Sequence, residues 1–289
     1  MNQTKPNPAL TAQDASQPLN TPAIAVFRMV GILGGMGPAA TVDLMQKIIA
    51  ATPAKCDQEH VPMIVWNVPQ IPDRNLFLNG SGPSPAEAMR NAACSLALAG
   101  AEAIAIACNT AHLWADEIAQ AANLPVIHIV DAALAEVLLE RQYTQQTAQT
   151  SSPNIMLLST DATQSFGVYA KRAEQRHITL LSPRLADQRV ITDVISLVKA
   201  GQTGKARALL LPVLRTQLEQ GVDRFLLGCT EMPLVVAGSE FEAKSIDATL
   251  ALARAIVRFS TGVSTKMAYP RRNLSNNNER NNAFGDQVA

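Results

Sequence analysis

AGAEAIAIACNTA (residues 99–111) and QGVDRFLLGCTEM (residues 220–232) are two versions of one pattern. In each, a glycine (Gly100, Gly221) is followed two positions later by an acid (Glu102, Asp223), then by an apolar run, and the thiol of Cys108 or Cys229 stands eight residues after the glycine. An apolar run of this length between a turn glycine and a polar segment reads as a buried strand. The repeat extends in both directions. Upstream, MVGILGGMGPAATVDLM (29–45) and NIMLLSTDATQSFGVYA (154–170) each read as strand, small-residue loop and helix. Downstream, each thiol segment leads to a further strand and then to DAALAEVLL (131–139) or DATLALARA (247–255). Self-similarity at this scale implies two similarly folded halves.

Strand patterns alternate with helical ones throughout, as in a parallel sheet with crossover helices. The fold class is therefore α/β, with two pseudo-symmetric domains, each a mostly parallel sheet flanked by helices, and a site in the cleft between them. Strands are expected at 26–33, 62–67, 103–107, 126–129, 155–158, 178–181, 224–227 and 243–246. The first half spans 26–131, completed by 241–262, and the second spans 132–240. Residues 1–25 and 263–289 are rich in Asn, Gln, Thr and Pro or carry RRNLSNNNERNN, with little apolar material to offset ordering entropy. Both read as disordered tails.

Bulk composition excludes several classes. Lys and Arg number 24, as do Asp and Glu, so no net field draws the chain to nucleic acid or an anionic membrane. No apolar run reaches the ~20 residues of a membrane span, and the four cysteines show neither C-x-x-C nor metal-ligand spacing. A start without a basic and apolar leader reads as cytoplasmic. No metal site is expected.

Cys108 and Cys229 occupy equivalent places at the carboxyl ends of strands, where open α/β sheets bind ligands. Backbone N–H groups and a helix dipole at that place favour thiolate and should lower the thiol below its usual value of about 8.5. If the halves face each other about a twofold axis, the thiols approach one pocket from opposite sides. One thiolate then takes a proton while the opposite thiol gives one, and the natural reaction is inversion at a carbon. A single cysteine ending a strand commonly serves as a small hydrophobe, and Cys56 and Cys94, without matched context, are read that way. A redox disulfide between Cys108 and Cys229 is the third reading of the pair.

The glycine loop GILGGMGPAAT (31–41) departs from G-x-G-x-x-G and has no G-K-[ST], and Asn67 stands where a ribose-binding acid belongs. It suits a small anion held on backbone N–H groups, or a tight turn with Pro38 opening the helix. Arg74, after the second strand, suits bidentate capture of a carboxylate or an ordinary surface charge. Lys199 closes a helix beside Gly201, where a cation also complements the dipole. His112 reads as a helix-face hydrogen-bonding residue, while His60, His128 and His177 lack ligand spacing.

With these motifs in view, the sequence resembles the aspartate/glutamate racemase superfamily, most closely its aspartate racemase branch. The likeness runs from about Arg28 to Thr261 through GILGGMGPAAT, DQEHVPMIVWNVPQIPDR, ACNTAH, LLSTDAT, VKAG and LGCTEMPL. It implies racemisation of an acidic amino acid without pyridoxal phosphate or any other cofactor, aspartate first and glutamate second, in a homodimer. It places the family's catalytic cysteines on Cys108 and Cys229 and its carboxylate-binding cations on Arg74 and Lys199. Its pocket positions fall on Met36, Gln70, Asn109, Thr110, Thr160 and Thr230. By the same analogy Cys229 takes the α-proton from the L-isomer and Cys108 from the D-isomer. The loop STDAT (159–163) departs from the family's commonest form. Alternatives are a cofactor-independent isomerase of a small dicarboxylate of the maleate type and a non-catalytic dicarboxylate-binding module.

Overall fold

The structure is a computed structural model and describes residues 27–146 and 153–262. The tails at 1–25 and 263–289, and Val26, lie outside the described residues. In chain order the first half contains β1 (Val30–Gly34), α1 (Pro38–Ala51), β2 (Met63–Asn67), α2 (Arg74–Leu78), α3 (Ala86–Leu98), β3 (Ala103–Ile106), α4 (Ala115–Ala122), β4 (Val126–Ile127) and α5 (Ile129–Gln146). There follow β5 (Ile155–Leu158), α6 (Asp161–Ser165), α7 (Ala170–Glu174), β6 (Leu180–Leu181), α8 (Leu185–Lys199), α9 (Thr203–Glu219), β7 (Arg224–Leu227), α10 (Met232–Val236), β8 (Ser245–Asp247) and α11 (Ala248–Thr261).

Every pairing is parallel, and the two four-stranded sheets have the same order, β2-β1-β3-β4 and β6-β5-β7-β8. In each sheet the chain leaves the first strand towards one edge and the third strand towards the other. The crevice between those two strand ends is the topological switch point at which such sheets take ligands. Both thiols stand just beyond it, Cys108 after β3 and Cys229 after β7.

The eight expected strands are all present, with shifted ends. The first begins at Val30, because the Arg28 N–H is given to the Ser260 carbonyl at 2.9 Å instead of to a neighbouring strand. Edge strand β6 is short, since only Leu180 and Leu181 pair, with Ile155 and Met156. One expectation needs correction. The segment 241–262 does not complete the first half as a unit, because Ser245–Asp247 pairs with β7 as the fourth strand of the second sheet. Only α11 crosses back, packing on α1 and β4.

Helix α5 makes the reciprocal crossing, leaving β4 to pack on β8 and α7. The central apolar core therefore draws on both sheets, with Ile32 and Ala105 from one, Leu157, Leu226 and Ile246 from the other, and α5 and α11 between them. Separate cores fill the outer faces, under α3 and α4 on the first sheet and under α8, α9 and α10 on the second. Removing apolar surface from water at roughly 25 cal/mol per Å² in a core shared by both halves fixes the cleft between them.

Candidate active site

The glycine loop after β1 sets one wall. Gly35 has φ +95°, a left-handed conformation that favours glycine, and a Cβ there would lie 2.3 Å from the Val68 carbonyl carbon. Its N–H donates to Thr41 Oγ1 at 2.9 Å, and the Thr41 hydroxyl donates to the Gly37 carbonyl at 3.1 Å. That N–H is therefore engaged within the loop and is unavailable to an anion, contrary to one reading of the motif. Pro38 opens α1 as expected, after Gly37 at the N-cap.

Arg74 is buried, with 6% of its surface exposed, and starts the short helix α2. Asp73 caps that helix by accepting from the Asn75 and Leu76 N–H groups at 2.8 and 3.0 Å. The guanidinium is fixed from behind: Nη1 donates to the Ile71 and Pro72 carbonyls at 3.3 and 3.0 Å, and Nη2 to the Met36 carbonyl at 3.3 Å. Arg74 Nε is buried without a protein partner. A buried charged donor without a partner is uncommon and carries a desolvation cost.

Lys199, the last residue of α8, comes from the second half and stands 3.6 Å from Asp73 Oδ2 in the first. Burial pushes the Asp73 carboxyl up, but the Leu76 N–H, Lys199 and Arg74 outweigh it and hold it below the ordinary carboxylate range.

Cys108 and Cys229 are 6% and 5% exposed and line one narrow cavity. Met36, Arg74, Asn75, Asn109, Thr110, Thr160, Lys199, Thr230 and Glu231 complete its wall. Of the residues expected in the site, Gln70 alone is not brought there; it is exposed in the turn after β2, where the chain bends to aim Arg74 inward. A wider, open hollow beside β6, walled by Glu174, His177 and Thr179, holds no thiol and no pair of cations.

The two thiols have different surroundings. The residues after Cys108 form a 3₁₀ turn, Thr110–Trp114. His112 in that turn ties it down, with Nδ1 2.8 Å from the Cys108 carbonyl and Nε2 accepting from the Ile129 N–H at 3.2 Å. Because Nε2 accepts, the proton sits on Nδ1, which donates to the Cys108 backbone carbonyl. Burial, then neighbouring His128, push His112 down to about 3, so the ring is neutral.

Asn109 is fixed from across the cleft by the Tyr169 hydroxyl, which donates to Oδ1 at 2.6 Å. Burial keeps that phenol protonated far above its ordinary range. The amide's Nδ2 is thereby left buried and unpartnered. The Thr110 hydroxyl meets those of Thr160 and Thr163 at 3.1 and 2.9 Å, joining the halves through uncharged groups.

Cys229 instead donates to Glu231 Oε2 at 2.9 Å, and Thr230 Oγ1 donates to the same oxygen at 3.2 Å. Burial and the Glu231 charge push the Cys229 thiol well above its usual value. The expected lowering by a helix dipole is thus reversed at Cys229. The helix that follows, α10, is only 5 residues long, too little dipole to offset a buried like charge.

Tyr169, Thr163 and Asn75 were not signalled by the motifs. Tyr169 and Thr163 act from the second half on the first half's thiol turn, a contact no linear spacing encodes. Glu231 was readable as the position equivalent to Thr110, two residues beyond its cysteine.

Two parallel α/β halves meeting over two buried thiols, with Arg74 and Lys199 beside them, are the build of an enzyme. Residues 33–256 match the family described as Asp/Glu/Hydantoin racemase, and the chain belongs to that family and is a racemase. It is similar to a broad specificity amino-acid racemase, RacX, of Bacillus subtilis (strain 168), being 25% identical over 248 residues, 83% of this chain and 99% of that protein. Among solved structures, Picrophilus torridus aspartate racemase shares 34% identity and a TM-score of 0.70, over 81% of this chain and 94% of that one. An aspartate racemase homologue from Pyrococcus horikoshii OT3, 24% identical with a TM-score of 0.62 over 82% and 100% of the two chains, repeats the fold. Among the described residues no helix is long and apolar enough to cross a membrane, and no group of three His, Cys, Asp or Glu is placed to hold a metal ion.

Proposed function

We propose that this protein racemises an acidic amino acid, aspartate before glutamate, directly and without pyridoxal phosphate, with Cys108 and Cys229 as proton carriers on opposite faces of the α-carbon. The observation that carries this reading is that both thiols line one cavity with Arg74 and Lys199, where Arg74 Nε and Asn109 Nδ2 are buried donors without protein partners. Unmatched donors beside two cations suit a molecule with two carboxylates. The likeness to an aspartate racemase and to a broad specificity amino-acid racemase supports the same substrate class.

In the reaction, the thiolate on one face takes the α-proton as the C–H bond breaks and an S–H bond forms. The thiol on the other face delivers its proton to carbon with inversion. Cys229 serves the L-isomer and Cys108 the D-isomer. The carbanion between these steps is weakly favoured, and fixed donors stabilise it where water would have to reorganise. Arg74, held by three carbonyls, and Asn109, held by Tyr169, are such donors. The proposal includes a cytoplasmic homodimer, whose mass sedimentation velocity would report.

The test is proton NMR of L-aspartate and then L-glutamate in D₂O with purified protein and no added pyridoxal phosphate, beside Cys108→Ala and Cys229→Ala. Loss of the α-proton signal with appearance of the D-isomer, abolished by either substitution, is the expected result. Silence with both amino acids would transfer the reading to a dicarboxylate isomerase or a binding module. Full activity in either alanine variant would refute the two-thiol mechanism.

A further inference from the structure

Three side-chain atoms of residues lining the thiol cavity are buried without a protein partner: Arg74 Nε, Asn109 Nδ2 and Asn75 Oδ1. The first two are donors, and the carboxylates of an acidic amino acid match them. The third is an acceptor, and a carboxylate has nothing to give it. Other acceptors on the same wall are already engaged. Glu231 Oε2 accepts from Cys229 and from Thr230, Asn109 Oδ1 accepts from Tyr169, and the Thr110 and Thr160 hydroxyls meet each other.

Asn75 follows Arg74 in α2, and its backbone N–H donates to Asp73 Oδ1 at 2.8 Å, so the helix cap fixes the stem of the amide. Helix α2 packs on α6 of the second half, which sets the amide where the two halves meet. A buried carbonyl oxygen left without a donor carries a desolvation cost, and a ligand N–H at that place removes it. An ionised plain dicarboxylate brings no donor. An amino dicarboxylate brings an ammonium with three.

We propose that Asn75 is a substrate-binding residue that sets specificity: its Oδ1 accepts from the α-ammonium and so selects an amino dicarboxylate over a plain dicarboxylate of the same length. This deepens the function proposed above and rests on it. The amide stays neutral and takes no proton. Inversion carries the α-carbon through the plane of its three heavy substituents while hydrogen leaves one face and joins the other. Nitrogen and both carboxylates therefore keep their places, and one acceptor serves both isomers.

The test compares two ligands that differ by the ammonium alone, succinate and DL-aspartate, the racemic mixture being unchanged by racemisation. Calorimetric titration gives Kd for each in the natural protein, in Asn75→Leu and in Asn75→Asp. The natural protein should prefer aspartate by about 10- to 100-fold, the worth of a buried hydrogen bond to a charged group. Leucine, of similar size without an acceptor, should remove most of that preference, chiefly by weakening aspartate. Aspartate at position 75, which can only accept, should keep the preference or raise it, and it carries the test if leucine destabilises the fold. A purely structural role would weaken both ligands together and leave their ratio unchanged.

An unchanged ratio in Asn75→Leu would overturn the proposal. So would equal binding of the two ligands by the natural protein, or loss of the preference in Asn75→Asp, which would make residue 75 a donor. Exchange of the α-proton in D₂O is read separately. A ratio that collapses in Asn75→Leu, in a protein that exchanges no α-proton, would leave the role of Asn75 standing and remove racemisation. Exchange with an unchanged ratio would do the reverse, and binding of neither ligand would overturn both.

Discussion

His112 makes the thiol turn a source of acid sensitivity. Its Nε2 accepts from the Ile129 N–H and its Nδ1 donates to the Cys108 carbonyl, so a second proton would place two N–H groups face to face in a buried site. The folded ring is therefore held down to about 3, against 6.5 for the ordinary imidazole. A histidine whose folded value is depressed contributes stability that is fully present above its unfolded value and lost as pH falls towards the folded one. Between pH 7 and pH 5 the unfolded ring goes from mostly neutral to almost fully protonated while the folded ring stays neutral. Integrating this difference gives a loss of about 2 kcal/mol from His112. Carboxylates and His128 titrate over the same range, so the measurement is a difference. Urea unfolding of the natural protein and of His112→Asn is compared at both pH values. Asparagine can still donate to the Cys108 carbonyl but leaves the Ile129 N–H unpartnered, at a cost of about 1 to 3 kcal/mol at pH 7. The variant should then lose about 2 kcal/mol less than the natural protein on going to pH 5. Equal losses in the two proteins would refute the neutral, doubly engaged ring.

Three further outcomes follow from the site's construction. Arg74→Lys keeps the charge and loses the fork that three carbonyls hold, so KM for aspartate should rise about tenfold or more, and an unchanged KM in a polarimetric assay would remove Arg74 from substrate binding. Tyr169→Phe leaves Asn109 Oδ1 without its 2.6 Å donor, which should lower stability by about 1 to 3 kcal/mol in denaturant titration and reduce kcat/KM; unchanged values would show that the amide is fixed by other means. Gly35→Ala forces a Cβ to 2.3 Å from the Val68 carbonyl carbon at φ +95°. It should cost about 3 kcal/mol or more, with a melting temperature equal to that of the natural protein speaking against the close approach.

The fold was legible because the chain states it twice. Gly100 to Cys108 and Gly221 to Cys229 share a spacing that only two equivalent strands explain, and the sheets have the same strand order. Element ends were less legible. The expected boundary at 241 fell one strand too early, because β8 is 3 residues long and its assignment depends on pairing with β7, a long-range choice that periodicity does not encode. In the site, Arg74 admitted a surface reading and Lys199 a helix-dipole one; Arg74 is buried, Lys199 remains exposed, and both line the same cavity. Gln70 lies in the turn after β2, just before the chain bends to aim Arg74 inward, and proximity in sequence there does not carry into the cavity.

The thiols show most clearly where local reasoning stops. Reading each cysteine as strand end and helix start gives both the same environment, and the dipole argument then lowers both. A helix dipole lowers a thiol only where the helix end is the nearest charge. At Cys229 the nearest charge is instead Glu231, two residues along the chain and folded back to 2.9 Å from the sulfur. A full charge at hydrogen-bond distance in a buried site outweighs the partial charge of a helix of 5 residues. The sequence equivalence of Thr110 and Glu231 was therefore the informative difference within the repeat. In the proposed reaction two bases exchange roles in every turnover, and they need not be equal provided each can reach both protonation states. The carboxylate 2.9 Å from the Cys229 sulfur has a hydroxyl, that of Thr110, at the equivalent position of the first half, so the two halves of the site are chemically unlike.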